Sequence, residues 1–290
     1  MIYDTNVILK SLERHIKKGK PFSNIRLGDA CNIILGLMLR PIRFKKLMNL
    51  EGPEKKYYRK IIRLRLGIPE GELRKICRRL VKYCNQANYI DNLYITKDLN
   101  HRRGAYEQRI YSLWEQTHNM IGIKNKNYSS PMLNHWSVVE GELNLYKIMK
   151  GRRVFFINNA TPDIIKKFRN HCSKVDGVRT YPIPRKQFHT GQFEEIQETI
   201  EKQVDNYDLF LIGAGILGKI YCGYVKEMGG VAFDTGRVFK MWRGKNFLPV
   251  PIKGVLTANK NNTLYKRTRP KKSNYIKQIP TEDWPGWRKK

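Results

Sequence analysis

The sequence lacks any long hydrophobic run, and this absence argues against a membrane-spanning protein. No apolar stretch in its 290 residues reaches the roughly 18 residues that a membrane-spanning helix needs. The first segment, MIYDTNVILKSLERHIKKGK, has an acidic residue early and no extended apolar stretch, which is untypical of a secretion signal. We therefore expect a cytoplasmic location.

Cysteine is also scarce, and its spacing excludes two further classes of protein. The five cysteines stand at positions 31, 77, 84, 172 and 222, and none belongs to a C-x-x-C pair. An odd number of scattered cysteines fits neither a disulfide framework nor a zinc site. We predict free thiols in a reducing compartment.

Acidic residues are few, so the chain is strongly basic. The 25 acidic residues face 56 lysines and arginines, which leaves a formal net charge of +31. Such a charge attracts nucleic acid, anionic membrane surfaces or phosphorylated small molecules, although a solvated basic surface without any site is an equal alternative. The charge concentrates in residues 54–82 and in a tail, residues 256–290, that has too few aliphatic residues to form a core.

Helical spacing dominates the first half of the chain. We predict helices over residues 1–18, after Asp29, over 73–84, over 105–120 and over 133–149, with a short strand at 22–29. We expect one domain over residues 1–255, with a helix-rich insertion at about 45–130 and a Rossmann-like half at 151–255.

From Gly151 onward the pattern alternates between strands and helices. Predicted strands at 152–157, 178–181, 209–212 and 231–233 are separated by predicted helices that begin at Thr161, Phe193 and the glycine loop after residue 212. This alternation predicts an α/β fold with a Rossmann-like, mostly parallel sheet and flanking helices. Ligands of such folds bind beyond the carboxyl ends of the strands.

The glycine loop has the spacing of a phosphate-binding turn. Gly213, Ala214, Gly215 and Gly218 spell G-x-G-x-x-G after a strand, and Lys219 follows directly. Glycine lets backbone N–H groups approach an anion, and the start of a helix adds positive potential. Alternatively, the glycines only allow the helix to pack close to the strand.

Asp234, about 20 residues after the glycine loop, also fits a nicotinamide dinucleotide site. That interpretation fits less well, because the loop follows the third strand of the alternating region instead of the first. Too few residues follow the loop to build a second nucleotide-binding half. An NAD-dependent oxidoreductase therefore stays a lesser alternative.

A second candidate site lies near the start of the chain, at Arg26-Leu27-Gly28-Asp29. A predicted strand ends there with a guanidinium and a carboxylate in one turn. The guanidinium suits a phosphate, and the carboxylate suits a metal that bridges a diphosphate. Alternatively, Asp29 is an N-cap that pairs locally with Arg26.

Together, these segments resemble the GT-D fold glycosyltransferases. Ser23 to Asp29 is similar to the opening motif of that family, roughly S-x-x-R-x-G-D-G-E, and the segments Asp208 to Gly215 and Gly229 to Gly236 resemble its closing segments. Gly151 to Asn159 stands where the family has its first Rossmann-like strand. The resemblance implies transfer of a sugar from a nucleotide sugar, commonly UDP-linked, to a hydroxyl of a glycan, glycoprotein or lipid-linked acceptor.

The resemblance also implies a divalent metal, Mn²⁺ or Mg²⁺, held by a D-x-E motif. This chain reads Asp29-Ala30-Cys31 at that place, so a cysteine replaces the glutamate of the family. A neutral thiol is a poor ligand for these metals. Three outcomes are open: Asp29 holds the metal with water and diphosphate, Arg26 and Lys219 carry the charge without metal, or the protein is a non-catalytic relative.

We assign roles to these residues as predictions. The loop amides from Gly213 to Gly218, with Lys219 and Arg26, would stabilise the departing diphosphate. Asp29 would hold a metal or orient Arg26, and Asp234 is the predicted catalytic base. Weaker candidates for the base are Glu140 and Glu142, and His135 is predicted to be structural.

The main rival function is nucleic-acid binding. Tyr57, Tyr58 and the basic helix faces would supply stacking and phosphate contacts. An enzyme held at the cytosolic face of an anionic membrane is a further alternative that the charge allows. The glycosyltransferase interpretation requires that Arg26 to Asp29 and the glycine loop, nearly two hundred residues apart, converge in the fold.

Overall fold

A parallel β-sheet lies at the centre of the protein. The computed structural model describes residues 2–3, 5–47, 70–91, 113–129, 143–159, 161–180, 190–236 and 238–242. The strands in these ranges are β1 (Ile2–Tyr3), β2 (Phe22–Arg26), β3 (Tyr89–Asp91), β4 (Tyr128–Ser129), β5 (Arg153–Asn158), β6 (Lys174–Arg179), β7 (Leu209–Gly213) and β8 (Val231–Asp234). They form one sheet in the order β1-β4-β3-β2-β8-β7-β5-β6, and every neighbouring pair is parallel.

Helices cover both faces of this sheet. They are α1 (Thr5–Lys17), α2 (Asp29–Leu39), α3 (Pro41–Leu47), α4 (Glu70–Gln86), α5 (113–121), α6 (Leu145–Met149), α7 (Thr161–Phe168), α8 (Thr190–Gln203), α9 (Gly215–Glu227) and α10 (Val238–Trp242). Buried side chains of α2, α4, α5, α8 and α9 form a hydrophobic cluster on one face. Those of α1, α6, α7 and α10 form a second cluster on the other face. The predicted α/β fold is confirmed.

Strand β7 shows why the central strands are apolar at nearly every position. Leu209 and Leu211 belong to the cluster that contains α1, whereas Phe210 and Ile212 belong to the cluster that contains α9. Successive side chains of a strand point to opposite faces, so a strand covered on both sides needs apolar residues throughout. The apolar run that predicted this strand is therefore a consequence of two-sided burial.

The two halves of the chain meet at strands β2 and β8. Phe22 lies opposite Val231 in the register of this pair, and Asn24 lies opposite Phe233. Strand β7 flanks β8 on its other side. Because all these strands are parallel, the ends of β2, β8 and β7 reach the same edge of the sheet. The predicted convergence of the two segments is thus observed.

The helix-rich stretch at 45–130 differs from its prediction. It also supplies two strands of the sheet, β3 and β4, which have three and two residues. Such short strands contain too few residues for an alternating pattern to be visible in the sequence. Residues 48–69 and 92–112 of this stretch lie outside the described residues.

Several element boundaries also differ from the prediction. Strand β6 covers Lys174–Arg179 instead of 178–181, because none of its residues is fully buried and the strand therefore has little apolar signal. Of the helix predicted at 133–149, the described residues contain only Leu145–Met149. The basic tail, residues 256–290, lies outside the described residues.

All five cysteines are buried and unpaired, as their spacing predicts. Burial raises the pKa of the Cys77 and Cys172 thiols to about 12. These thiols therefore stay protonated at neutral pH and behave as small apolar side chains. Within the described ranges, no helix combines the length and the hydrophobicity required to cross a membrane.

Candidate active site

Asp234 lies where the ends of strands β2 and β8 meet. Its Oδ2 atom accepts a hydrogen bond from the backbone N–H of Arg26 at 3.2 Å. Its Oδ1 atom accepts one from the backbone N–H of Gly236 at 2.9 Å. The residue as a whole is only 2% exposed, so these bonds fix the carboxylate in a largely water-free position. Asp234 thereby ties the end of β2 to the turn after β8.

Lys219 completes this arrangement from helix α9. Its Nζ atom donates to Asp234 Oδ2 at 3.2 Å and to the carbonyl oxygen of Gly215 at 3.1 Å. Burial is the largest influence and lowers the pKa of the ammonium, but the charge of Asp234, the influence of Cys31 and the hydrogen bond to Asp234 together raise that pKa above its ordinary value. Lys219 is therefore a buried, permanently charged cation beneath the glycine loop. We call Arg26, Cys31, Gly215, Lys219 and Asp234 the β2–β8 corner.

Cys31 contributes a neutral thiol to the corner. It lies in the first turn of α2 and is buried, and burial raises its pKa. The charges of Lys219, Asp234 and Arg26 all act on this thiol, which places the three charged groups close to it. Because burial dominates, the thiol stays protonated at neutral pH.

The glycines of the loop serve different purposes. Gly215 has a φ of +62°, a left-handed conformation that other residues adopt only with strain. A Cβ atom on Gly213 would lie 2.6 Å from the Phe239 ring and 2.8 Å from Asn158 Nδ2. Gly218 packs against Ala214 and Ile212, and its N–H donates to the Ala214 carbonyl. Gly213 and Gly218 thus serve close packing.

The start of helix α9 presents the positive end of the helix to solvent. Ala214 is the N-cap, with no side-chain hydrogen bond, and Gly215 is exposed. The first N–H groups of a helix have no acceptor within the helix, and they carry its positive partial charge. Both alternatives for the glycine loop are therefore compatible with this geometry: the glycines permit close packing, and the loop also offers an anion site.

Gly28, and not Asp29, is the N-cap of helix α2. The alternative interpretation of Asp29 as an N-cap is therefore wrong. Asp29 is the first residue of the helix, and its backbone directly follows the β2 end of the corner. The side chain of Asp29 lies outside the described residues, as do Tyr57, Tyr58, His135, Glu140 and Glu142.

The described side chains of the corner do not fit a divalent metal. Mg²⁺ and Mn²⁺ prefer oxygen ligands, most often carboxylates. The Asp234 carboxylate is already bonded to an ammonium and two backbone N–H groups, and Cys31 offers only a neutral thiol. In the part of the chain that the structure describes, no three His, Cys, Asp or Glu side chains are grouped to hold a metal ion. The positive charge that pairs with Asp234 at this corner is the Lys219 ammonium.

Two polar residues beside the corner escaped the sequence analysis. Asn158, at the end of β5, donates from Nδ2 to the Gly213 carbonyl at 2.6 Å and so holds the glycine loop from the other side. Thr235 donates from Oγ1 to the Ile212 carbonyl at 2.9 Å. A polar residue at the carboxyl end of a buried strand is the signal that would have identified Asn158.

A buried histidine also lies on the α9 side of the sheet. His118 Nε2 donates to Asn32 Oδ1 at 2.7 Å, and burial lowers the pKa of His118 to about 4. Its Nδ1 atom is buried with no hydrogen-bond partner among the described residues. The imidazole is therefore neutral at pH 7, and it anchors α2 to α5.

Comparisons with known proteins agree with this architecture. A protein-family model described as a GT-D fold-like domain matches residues 3–242. A solved structure of the domain of unknown function 1792, described as having a distinct glycosyltransferase fold, is 14% identical, with a TM-score of 0.52 over 82% of this chain and 78% of that chain. A selenomethionine-substituted structure of the same domain is also 14% identical, with a TM-score of 0.53 over 82% and 78% of the two chains. No curated protein sequence gave a significant match.

Proposed function

The chain belongs to the GT-D-like family, and from this membership we propose that it is a glycosyltransferase. It would transfer a hexose or pentose from a nucleotide sugar to a hydroxyl of a glycan, glycoprotein or lipid-linked acceptor. Uracil is the base that the family resemblance implies for the nucleotide. The observation that carries the proposal is the β2–β8 corner, which joins Arg26, Lys219 and the glycine loop at one edge of a parallel sheet. Nucleotides bind at this edge in folds of this type.

The corner suits the departure of a nucleoside diphosphate. Glycosyl transfer breaks the bond between the anomeric carbon and a phosphate oxygen, and the bonding electrons stay on that oxygen. The main demand is to stabilise this negative charge. The start of helix α9 would face the diphosphate, while Lys219 supplies a fixed positive charge behind the loop and Arg26 supplies a second cation. These groups are in place before the substrate binds.

The bonds of Asp234 favour a positioning role for this residue. A catalytic base must take a proton from the acceptor hydroxyl. Both carboxylate oxygens of Asp234 already accept hydrogen bonds, and an added proton would weaken its ion pair with Lys219. We therefore propose that Asp234 holds Lys219 and the end of β2 in place. Its sequence-based role as catalytic base stays a prediction.

Binding of a nucleotide sugar tests the proposal directly. Purified protein would be heated with a panel of UDP-, GDP-, CDP- and ADP-sugars while unfolding is followed, and slow hydrolysis of the donor would be measured. A ligand at a hundredfold excess over its Kd adds about 2.7 kcal/mol to the free energy of unfolding. We expect stabilisation by at least one nucleotide sugar, and loss of that stabilisation in Arg26→Gln. An Arg43→Gln variant, which changes an exposed arginine of α3, is the matched control.

Chelation tests whether the reaction depends on a divalent metal. Because the described donor set does not fit Mg²⁺ or Mn²⁺, we expect EDTA to leave sugar transfer largely unaffected. Asp29→Ala would abolish transfer and leave the fold intact if Asp29 orients Arg26 or the donor. Strict dependence on Mn²⁺ would instead show that oxygen ligands from outside the described side chains of the corner complete a metal site.

Nucleic-acid binding remains the second candidate function because helix α4 has a strongly basic exposed face. Its members are Arg74, Lys75, Arg78, Arg79 and Lys82. Filter binding across a salt series separates the two functions, since phosphate contacts produce a steep decrease in affinity with salt. Tight, steeply salt-dependent RNA or DNA binding, without stabilisation by any nucleotide sugar, would favour this second function.

A further inference from the structure

A cavity of about 450 Å³ lies away from the β2–β8 corner, and it shares no residue with it. It is formed where helix α2 passes into α3, against α4 and the end of α5. The lining residues, which we call the arginine groove, are Met38, Leu39, Arg40, Pro41, Arg74, Arg78, Val81 and Ile121. The groove thus combines one apolar group of residues with three arginines.

The apolar residues form the floor of the groove and the arginines form its rim. Met38 and Ile121 are buried, with Leu39 and Val81 partly buried beside them. Arg40, Arg74 and Arg78 are all exposed. Arg74 Nη2 also lies 3.0 Å from Glu70 Oε1, but an exposed ion pair of this kind contributes little to the stability of the fold. The groove therefore matches a ligand that has a phosphate at one end and an apolar portion at the other.

Helix α3 extends this surface next to the groove. Phe44 is fully buried against Gly36 of α2, which holds α3 firmly to the body of the protein. Ile42, on the same short helix, is 85% exposed, the largest exposed fraction of any large hydrophobic side chain in the described residues. Arg43 and Lys46 are exposed on the same helix. An exposed isoleucine among cations provides an apolar side chain and positive charge together, the two features that contribute to binding an anionic lipid headgroup region.

We propose that the arginine groove and α3 bind the surface of an anionic lipid bilayer. Arg40, Arg74 and Arg78 would bind lipid phosphates, the groove floor would cover part of an acyl chain or glycerol backbone, and Ile42 would insert between headgroups. Nucleic acid shares the phosphate chemistry, and its bases can also contact apolar side chains, so nucleic-acid binding is the alternative that the experiment has to separate from lipid binding. This surface goes beyond the proposed sugar transfer and does not depend on it. It would hold the protein at a membrane whichever reaction the corner performs.

Sedimentation with lipid vesicles tests the proposal. The full chain would be mixed with vesicles of phosphatidylcholine alone and of phosphatidylcholine with phosphatidylglycerol, at a series of salt concentrations. We expect binding to the anionic vesicles only, weakened by salt. In the variant R40Q/R74Q/R78Q, affinity should fall by about 100-fold, since each cation near an anionic surface contributes about 1 kcal/mol. Thermal unfolding of each variant would verify that it is folded.

Two controls separate the groove from the charge of the whole molecule. The variant K18Q/K20Q/K150Q removes the same charge from exposed positions outside the groove, and it should lose far less affinity than the groove variant. Ile42→Gln should weaken vesicle binding without changing its salt dependence. Met228→Gln changes another exposed hydrophobic residue, which is 40% exposed and lies outside the groove, and it should leave vesicle binding unchanged. Equal losses in the two triple variants would overturn the proposal. So would RNA binding that depends on the groove arginines while vesicle binding does not.

Discussion

Lys219 and Asp234 form a buried ion pair whose two members depend on each other. Side-chain exposure is 9% for the lysine and 3% for the aspartate, so neither charge is solvated by bulk water. Removing one partner of such a pair leaves an uncompensated buried charge, which is far more costly than removing both. We therefore expect the pair to favour the observed arrangement of β2, β8 and α9, because an arrangement that separated the two groups would leave a buried charge without its partner.

A double-mutant cycle tests this coupling. Lys219→Met should lower the free energy of unfolding by about 3–5 kcal/mol, because Asp234 stays charged and loses its ammonium partner. Adding Asp234→Asn should restore part of that loss, because it removes the uncompensated charge while the amide oxygen can still accept from one of the two backbone N–H groups, that of Arg26 or that of Gly236. Urea denaturation at pH 7 measures both values. Additive losses in the double variant would show that the two side chains are not coupled.

His118 makes the stability of the protein depend on pH. Its pKa is about 4 in the folded protein, below the ordinary value of 6.5, so the unfolded chain binds the proton more readily. This contribution to stability is present above about pH 6.5 and is lost as the pH falls through about 4. The loss between pH 7 and pH 4 should be about 3 kcal/mol.

The variant His118→Gln isolates this effect. Glutamine can still donate a hydrogen bond to Asn32 but does not titrate, so its free energy of unfolding should fall less steeply between pH 7 and pH 4. Urea denaturation at several pH values, for both proteins, gives the difference. Identical pH dependence would mean that folding does not lower the pKa of His118.

The residues of the corner could be predicted from the sequence, but their partners could not. Arg26, Gly28, Lys219 and Asp234 stand in recognisable motifs at strand ends. The Lys219 side chain points inward to Asp234 instead of outward to a ligand. This direction depends on side-chain packing and burial, which the spacing of residues in the sequence does not reveal. The hydrogen bond from His118 to Asn32 joins segments 86 residues apart with no motif at either end.

At the scale of elements, helices α4 and α9 are in unusually close contact. A Cβ atom on Gly223 would lie 2.1 Å from Cγ of Tyr83, so this glycine lets the two helices approach. Helix α9 carries Lys219, and its position against α4 therefore contributes to the position of the ammonium. Tyr83 in turn donates its hydroxyl to Glu227 Oε2 at 2.7 Å, which holds the end of α9.

Gly223→Ala should separate these helices. The added methyl group overlaps the Tyr83 side chain, and overpacking of this kind typically lowers the free energy of unfolding by about 1–3 kcal/mol. Gly71→Ala is the matched control, because nothing lies within 4 Å of a Cβ atom at that position of α4. It should be neutral, or stabilising by up to about 1 kcal/mol through helix propensity. Thermal or urea unfolding of both variants measures the change in the free energy of unfolding. Equal changes in the two variants would contradict the close contact between α4 and α9.

Long elements could be predicted from the sequence, and short ones could not. The stripe of apolar residues in α4 and the apolar runs of β7 and β8 gave their positions correctly. Strands β1, β3 and β4 have only two or three residues. These strands form because the neighbouring strands of the sheet pair with them, and they are too short to show a periodic pattern in the sequence.

At the scale of the whole molecule, the net charge of +31 acts against the compact state. Like charges repel one another more strongly when the chain is folded, and salt screens this repulsion. We expect the Tm to rise by several degrees between about 20 mM and about 300 mM NaCl. Differential scanning fluorimetry measures the Tm at each NaCl concentration. Uncharged sucrose at equal osmolality is the comparison, because it does not screen charges. A Tm that falls with salt would show that attractive ion pairs outweigh the repulsion.

The pairing of β2 with β8 also determines when the corner can form during synthesis. Phe22 leaves the ribosome some two hundred residues before Val231, its neighbour in the sheet. Until then β2 has an open edge on that side, and the nascent chain must keep it from pairing wrongly. The corner is therefore absent from every incomplete chain that ends before residue 234.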